Sequence, residues 1–567
     1  MNSKFNFLPT TQYEAEKMGY SELDVIIVSS DAYVDHPAFA AAIIGRYLQS
    51  LGLRVGIIPQ PDWHSINDFT KLGQPRLFFG VTAGNLDSMV SLYTAQRKIR
   101  TYDPYSENSI SGKRPYLPSI VYTNRIKQAY KNIPVILGGI EASLRRIAHY
   151  DFYTDKIKPS ILLDAKADLL VYGNGEAPLK EIINFIRNGK NINEIKDIKG
   201  TVVPVKQNDK IDYENIKRLP SYEKVKKNKL DFCEMTKIIS ENMNPYNASK
   251  LFQETDTRGI LINPPSLPLS QKELDCLYEL PFTRLPHTKY KGEIPAFSVV
   301  DKSITSHRGC YGGCSFCSLY LHQGKIIQSR SFASIKKEIS NLTKSSSKKI
   351  VITDIGGPTA NMYATYCKKE ELLKICKRRS CIYPDICINL CCSSKKYMEL
   401  LESIRKDKLI KAVYINSGIR YDIALLEPDF IEQIALYYTP GQLSVAPEHC
   451  SDSILKVMNK PDIQIYERFS KIFYEKSGRT GKKQYLLPYF MIGHPGANEK
   501  TEKALKLYLL NNNIKVEQIQ EFYPTPMSIS TAIYYTGMNP FTKEKIDVEK
   551  KLGIKKSWKK NIINFKC

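Results

Sequence analysis

Two series of short apolar blocks, each block closed by small or polar residues, limit what this chain can fold into more than any other feature. In the first two hundred residues, "LDVIIVSS" (23–30), "LRVGIIPQ" (53–60), "RLFFGVTAG" (76–84), "IPVILGGIEAS" (133–143) and "ADLLVYGNGE" (167–176) are dense in Val, Ile, Leu and Phe. Such runs predict strands buried on both faces, because a half-exposed strand would alternate apolar with polar residues. Between the first two lies "HPAFAAAIIGRYLQSLG" (36–52), apolar at helical spacing and ended by glycine. Strand and helix in alternation imply a parallel sheet covered on both faces.

A second series predicts strands at "PAFSVVDKSIT" (295–305), "KKIVITDIGG" (348–357), "DICINLCC" (385–392), "KAVYINSG" (411–418), "GQLSVAPEH" (441–449) and "YLLPYFMIGHPG" (485–496). Helix-length segments such as "RSFASIKKEISNL" separate most of them. Six βα units make an open, partial (β/α)6 barrel, whose ligands sit on the loops that follow the strands. At 567 residues the chain exceeds one ordinary core. The reading is therefore an N-terminal α/β domain over 1–205, a bridging region over 206–294, the barrel over 295–524 and a basic tail over 525–567. The bridge is marked by the polar stretch "VKQNDKIDYENIKRLPSYEKVKKNKLD" (205–231) and by the Pro-Pro pair in "LINPPSLPLSQ" (261–271).

The loop "RGCYGGCSFCSL" (308–319) carries three cysteines, Cys310, Cys314 and Cys317, at C-x₃-C-x₂-C spacing. A [4Fe–4S] cube has four corners, so this loop leaves one iron without a protein ligand. Gly309, Gly312 and Gly313 let the backbone wrap closely around an inorganic cube. The competing reading is a zinc knuckle completed by His307 or His322. The loop's place after a strand, and Phe316 before the last cysteine, favour the cluster.

Of thirteen cysteines, ten fall between Cys310 and Cys450, a clustering that points to metal or redox chemistry rather than cross-links. The start, "MNSKFNFLPTTQYEAEKMGY", has no apolar run behind a basic flank, and no run reaches the roughly 18 apolar residues of a membrane helix. The expectation is a soluble, cytoplasmic protein without a membrane partner. A formal net charge of +24 admits RNA or DNA as a partner, although lysine spread along the whole chain explains it equally well.

The C-x₃-C-x-aromatic-C pattern resembles the signature of radical S-adenosylmethionine (SAM) enzymes. "RGCYGGCSFC", "GKIIQSRS", "DIGGPTANMY", "SGIRYD", "APEH" and "FMIGHPG" resemble one branch of them, the YgiQ family, as do "DAYVDHPAF", "TAGNLDSMV", "ILGGIEASLRR" and "YGNGE" in the first domain. The match runs from about residue 20 to 540. The resemblance implies a flavodoxin-like or cobalamin-binding-like α/β domain before a radical SAM barrel. It also implies a [4Fe–4S] cluster on Cys310, Cys314 and Cys317, SAM chelating the open iron, and a reductant such as flavodoxin or ferredoxin. Reductive cleavage of SAM would yield a 5′-deoxyadenosyl radical that takes hydrogen from a substrate the resemblance does not supply.

The family comparison also suggests cofactor contacts. Gly356 and Gly357 stand where such enzymes carry a "GGE"-like turn, with Pro358 in place of the acid. Ser417 is expected at the SAM ribose and Arg420 at its carboxylate, both closing the fourth strand. Glu448 and His449 close the fifth, with Glu448 either on the cofactor or paired with an arginine such as Arg420. His494, between Gly493 and Pro495, is first a turn residue and second a ligand. Cys367, Cys376, Cys381 and Cys387, with Cys391 and Cys392 close behind, form a second group that would suit an auxiliary metal or remain as thiols. The first domain lacks the Asp-x-His-x-x-Gly lower-ligand motif of cobalamin proteins, Asp35-His36-Pro37 having the wrong spacing. The alternatives are a cobalamin-dependent radical methylase and an iron–sulfur redox protein without SAM chemistry.

Overall fold

The computed structural model describes residues 7–206, 209, 214–256, 258–344, 348–514 and 519–563. The chain's first six residues, parts of the 205–231 stretch (207–208 and 210–213) and the end of the tail with Cys567 lie outside the described residues. The chain divides into two compact units, Met1–Leu269 with Cys276–Asp301, and Ser270–Asp275 with Lys302–Cys567.

The first unit is built on nine strands: β1 Val25–Ser29, β2 Val55–Pro59, β3 Phe78–Thr82, β4 Val135–Gly138, β5 Leu169–Val171, β6 Thr201–Lys206, β7 Ile216–Arg218, β8 Lys250–Thr255 and β9 Arg258–Ile262. They lie in the order β2-β1-β3-β4-β5-β6-β9-β8-β7. The first five pair in parallel. Their order, 2-1-3-4-5, is flavodoxin-like, with its switch point between β1 and β3. Every residue of β1 is buried, as its unbroken apolar run requires. Helix α1 (Ala40–Ser50) crosses from β1 to β2, α2 (Pro118–Ala129) from β3 to β4, and α3 (Glu176–Arg187) follows β5. Val25, Ile27, Val55, Ile57 and Val171 share one core with Leu48 of α1 and Leu179, Ile182 and Ile183 of α3. Each such side chain contributes about 1.5–3 kcal/mol on burial.

Residues 216–262, read from sequence as part of a bridge, instead extend this sheet. β6 runs antiparallel to β5, β9 to β6 and β8 to β9. Leu251, Phe252, Ile260, Leu261 and Ile262 are buried there, which outweighs the polarity of the flanking chain.

The second unit holds β10 Ser303–Thr305, β11 Ile350–Ile352, β12 Asp354–Gly356, β13 Ile410–Val413, β14 Gln442–Glu448, β15 Tyr485–Ile492 and β16 Gln520–Glu521. β11 and β12 are halves of one run, parted at Thr353. All pairings are parallel: β10 with β12, β11 with β13, β14 with β15, β15 with β16. A parallel bridge, Ile419 to Val445, carries the series from β13 to β14. The result is six parallel positions in chain order, the makings of an open (β/α)6 barrel. Helices α4 Ser318–Gln323, α5 Phe332–Lys344, α6 Lys395–Arg405, α7 Ile463–Gly478 and α8 Glu499–Asn511 fill the connections, and α9 Ile529–Thr536 and α10 Leu552–Ile563 follow the last strand. Among the described residues no helix is long and apolar enough to cross a membrane.

The membership of the barrel differs from the sequence reading. The 295–305 strand shortens to β10, because Pro295 opens a helix, Pro295–Val300, in the first unit. The 385–392 strand is not a barrel stave: only Leu390–Cys391 pairs, antiparallel to Tyr366–Cys367. The sixth stave is β16. "SGIR" therefore follows the third stave and "APEH" closes the fourth. The tail, expected to have little pattern, contains α9 and α10.

Candidate functional site

The cysteine loop leaves the end of β10 through Ser306, His307 and Arg308 and is held by hydrogen bonds at nearly every step. Cys310 N donates to Gly324 O (3.0 Å), Cys317 N to Cys314 O (3.2 Å) and Ser315 N to Met458 O (3.0 Å). Asn459 Nδ2 donates to Gly313 O (3.1 Å) and Ser380 Oγ to Gly312 O (2.8 Å). Gly313 has φ +63°, and a Cβ there would stand 2.8 Å from Ser380 Cβ, so this corner needs glycine. A Cβ on Gly312 would lie 3.3 Å from Cys310 Sγ and 3.9 Å from Cys314 Sγ, which places both thiols around one small turn.

Arg420 brings charge to that turn. Its Nη1 lies 3.6 Å from Cys314 Sγ, while Nε and Nη2 donate to the two oxygens of Asp422 at 2.9 and 2.5 Å. Burial opposes the charge of both groups, but their mutual attraction wins: Arg420 is held well above the ordinary guanidinium value and Asp422 below the usual carboxylate range. Asn361 fixes the backbone of Arg420 from both sides, accepting from its N–H and donating to its carbonyl, each at 2.9 Å. Burial, reinforced by the neighbouring thiols, pushes Cys317 up to about 12 and also raises Cys310. A bound metal reverses that order by stabilising the thiolates.

Among the described residues no three His, Cys, Asp or Glu side chains converge closely enough to hold a single metal ion. A closed zinc site takes four ligands at about 2.0–2.3 Å from one ion. A [4Fe–4S] cube instead takes one thiolate at each of its corners, so its ligands stand farther apart than those of a single ion. His307 does not complete a knuckle. Its Nδ1 lies 2.9 Å from Ser306 Oγ, its ring packs under Gly357, where a Cβ would meet Cε1 at 2.7 Å, and burial lowers its pKa to about 4.

The strand-end residues take up distinct roles. Gly356 closes β12 and lies against the side chain of Ser417, leaving no room for a Cβ. Ser417 Oγ donates to Asp354, whose other oxygen accepts from the N–H groups of Asn416 and Ser417 at 2.9 Å each. The hydroxyl of Ser417 thus has only lone pairs to offer a ligand. Glu448 is unlike the rest. It has φ +71°, stands at a register shift between β14 and β15, and is 7% exposed. Its Oε1 is 3.9 Å from Lys460 Nζ, and its Oε2 has no hydrogen-bond partner among the described residues. Burial raises its pKa, with Lys460 and Arg420 only partly offsetting it. The pair Glu448–Arg420 weighed from sequence is not made, because Arg420 already holds Asp422. The carboxyl is thus strained, buried and incompletely bonded.

His449 is buried, accepts at Nδ1 from Ser451 N (2.9 Å) and is held neutral, with a pKa lowered to about 3. His494 is structural: Nδ1 is 2.9 Å from Pro495 O and Nε2 is 2.7 Å from Ser530 Oγ. Three of the second cysteine group stand near one another: burial, then the neighbouring thiols of Cys376 and Cys387, lifts Cys381 to about 11 against the pull of Lys325. Cys367 donates to Lys369 O, Cys376 lies 3.6 Å from Lys325 Nζ, and Cys381 and Cys387 pack against the apolar group of Tyr311, Met362, Ile382 and Leu390.

Sequence reasoning missed Asp422, Asn361, Ser380 and Ser530. Ser530 N donates to Ser315 O (3.0 Å), and its Oγ is 2.8 Å from Ser315 Oγ, so the start of α9 ties the cysteine loop to the end of β15. Asp422, two residues after Arg420, was the one readable from the sequence as an ion-pair partner; the other three carry no local signal.

Three family models match the chain. One described as "Radical SAM N-terminal" covers residues 7–303, one described as "Radical SAM superfamily" covers 304–508, and a domain of unknown function (DUF3362) covers 517–566. A "UPF0313 protein" of Thermotoga neapolitana is 46% identical over 563 residues, 98% of each chain. "UPF0313 protein YgiQ" of Escherichia coli (strain K12) is 42% identical over 592 residues, 95% of this chain and 80% of its own. A solved radical S-adenosylmethionine methyltransferase, TsrM from Kitasatospora setae, with cobalamin and a [4Fe-4S] cluster bound, aligns at 14% identity and a TM-score of 0.49, covering 89% of this chain and 77% of that one.

Proposed function

This chain belongs to the UPF0313 family of the radical SAM superfamily, and on that footing we propose that Cys310, Cys314 and Cys317 hold three irons of a [4Fe–4S] cluster whose fourth iron takes SAM. It is an enzyme, with the cluster and SAM as its cofactors. When bound, they supply one-electron cleavage of the sulfonium C–S bond, giving methionine and a 5′-deoxyadenosyl radical for hydrogen abstraction from the substrate.

The protein's own groups do the positioning. Gly356 and Gly357 keep a side-chain-free ledge at the end of β12 for the methionine end of the cofactor. Arg420, already balanced by Asp422, has its free edge toward Cys314 and so serves the thiolate rather than the SAM carboxylate. Glu448, whose pKa burial raises, presents an Oε2 without a hydrogen-bond partner among the described residues, and Ser417 accepts a hydrogen bond; a ribose with two hydroxyls suits such a pair.

The observation that carries this reading is the cysteine turn itself: Cys310 and Cys314 close around Gly312, with the Arg420 guanidinium 3.6 Å from one of the thiols. The cobalamin alternative is not favoured by the first unit. Its switch point is occupied by buried ion pairs of the chain, Asp31 with Arg114 (3.0 Å) and Arg114 with Asp103 (2.7 Å), and Gly84 lies directly against Asp31. The test is anaerobic reconstitution, reduction with dithionite and assay for 5′-deoxyadenosine after SAM is added. Formation of the nucleoside in wild type, lost in Cys314→Ala, supports the proposal. A well-formed cluster whose spectrum ignores SAM makes the protein a redox carrier instead.

A further inference from the structure

Resting on that reading, we infer that the outer face of residues 366–396 is the docking surface for an acidic one-electron carrier protein that reduces the cluster. Radical chemistry of this kind consumes one electron per SAM cleaved, so a donor must reach the cysteine loop from outside. The inner side of this segment touches the loop directly. Cys381 N donates to Tyr311 O (3.1 Å) and Ser380 Oγ to Gly312 O (2.8 Å). Cys310, Cys381, Cys387 and Cys392 pack on the same small apolar group. A donor seated on the far side is thus separated from a cluster ligand by a single layer of chain.

That far side is built unlike ordinary surface. Ile388 is 86% exposed, Ile375 68% and Tyr366 56%, with Leu372 and Ile386 also exposed. Large apolar side chains grouped on one exposed segment mark an interaction site. Between 366 and 396 the chain carries eight basic residues against three acidic ones, Lys368, Lys369, Lys374 and Lys377 being nearest the isoleucines in sequence. An apolar centre with a basic rim complements a partner that is apolar at its redox centre and acidic around it. Small contacts of this type suit the weak, transient complexes of electron transfer. The electron leaves the reduced carrier, which is oxidised by one unit, and enters the cluster; no group is transferred.

The experiment compares wild type with Ile375→Glu/Ile388→Glu, whose changes lie at exposed positions. Flavodoxin, reduced by its reductase, drives 5′-deoxyadenosine formation in one arm and dithionite in the other, and binding of flavodoxin is measured separately by calorimetry at low and high salt. The expected result is a loss of about tenfold or more with flavodoxin, an unchanged rate with dithionite, and salt-sensitive binding that the variant loses. Equal flavodoxin-driven rates and equal binding overturn the proposal. So does an equal loss in both arms, which makes the segment a brace for the cluster, and so does a wild-type dimer that the variant splits, which makes the face a self-contact. A wild type inactive with dithionite fails the underlying enzyme reading, while the binding arm still decides the docking surface.

Discussion

Raising the pH is predicted to weaken the second unit through one carboxyl. Glu502, on α8, is 3% exposed, accepts at Oε1 from Gly493 N (2.9 Å) where β15 meets the rim, and has no partner at Oε2 among the described residues. Burial lifts its pKa from 4.5 to about 7, against the smaller pull of the Gly493 hydrogen bond. A carboxyl raised in the folded state contributes stability below its unfolded value, and that contribution is lost as the pH climbs through about 7. At 1.36 kcal/mol per pH unit the full effect is roughly 3 kcal/mol. The assay is urea unfolding of the second-unit transition by circular dichroism at pH 5 and pH 8, for wild type and Glu502→Gln. Subtracting the variant cancels the other titrating groups. Wild type should lose roughly 2–3 kcal/mol relative to the variant across that range. Parallel profiles would refute the reasoning.

Two further outcomes follow from the loop's supports. Asp422→Asn strips the counter-charge from buried Arg420 and should cost about 3–5 kcal/mol in anaerobic unfolding, with Asp422→Glu recovering part of it; a change within experimental error contradicts the ion-pair account. Ser530→Ala removes the hydroxyl shared by Ser315 and His494, about 1–3 kcal/mol of support. The variant should lose iron to a chelator faster than wild type, and Ser530→Thr should slow that loss again; identical kinetics for all three would sever α9 from the cluster loop.

The spacing of the cysteine loop and the strand pattern of the first domain were legible because each is carried by adjacent residues. Unbroken apolar runs such as "DVIIVSS" become central strands for the reason they look like them: both faces are covered. The misreadings come from context that adjacency does not carry. "DICINLCC" alternates like a strand, yet Ile386 and Ile388 end in solvent because the segment wraps the cysteine loop instead of joining the barrel. β16, two residues long, offers no period to read. In the lysine-rich tail, charge masked α9, although its boundaries are signalled by Ser528, which accepts from Thr531 N (3.1 Å), and by Gly537 at φ +75°. The site shows the same division. Three cysteines and a diglycine turn announce themselves, whereas Ser530, more than two hundred residues from the loop it anchors, is defined only by the fold.

The most direct test of the central claim is electron paramagnetic resonance of anaerobically reconstituted, reduced protein before and after SAM, together with metal content. The account predicts about four irons per chain, a reduced [4Fe–4S] signal that SAM reshapes, and loss of both in the Cys310→Ala variant. Zinc at one atom per chain, or a cluster signal that SAM leaves untouched, would contradict it.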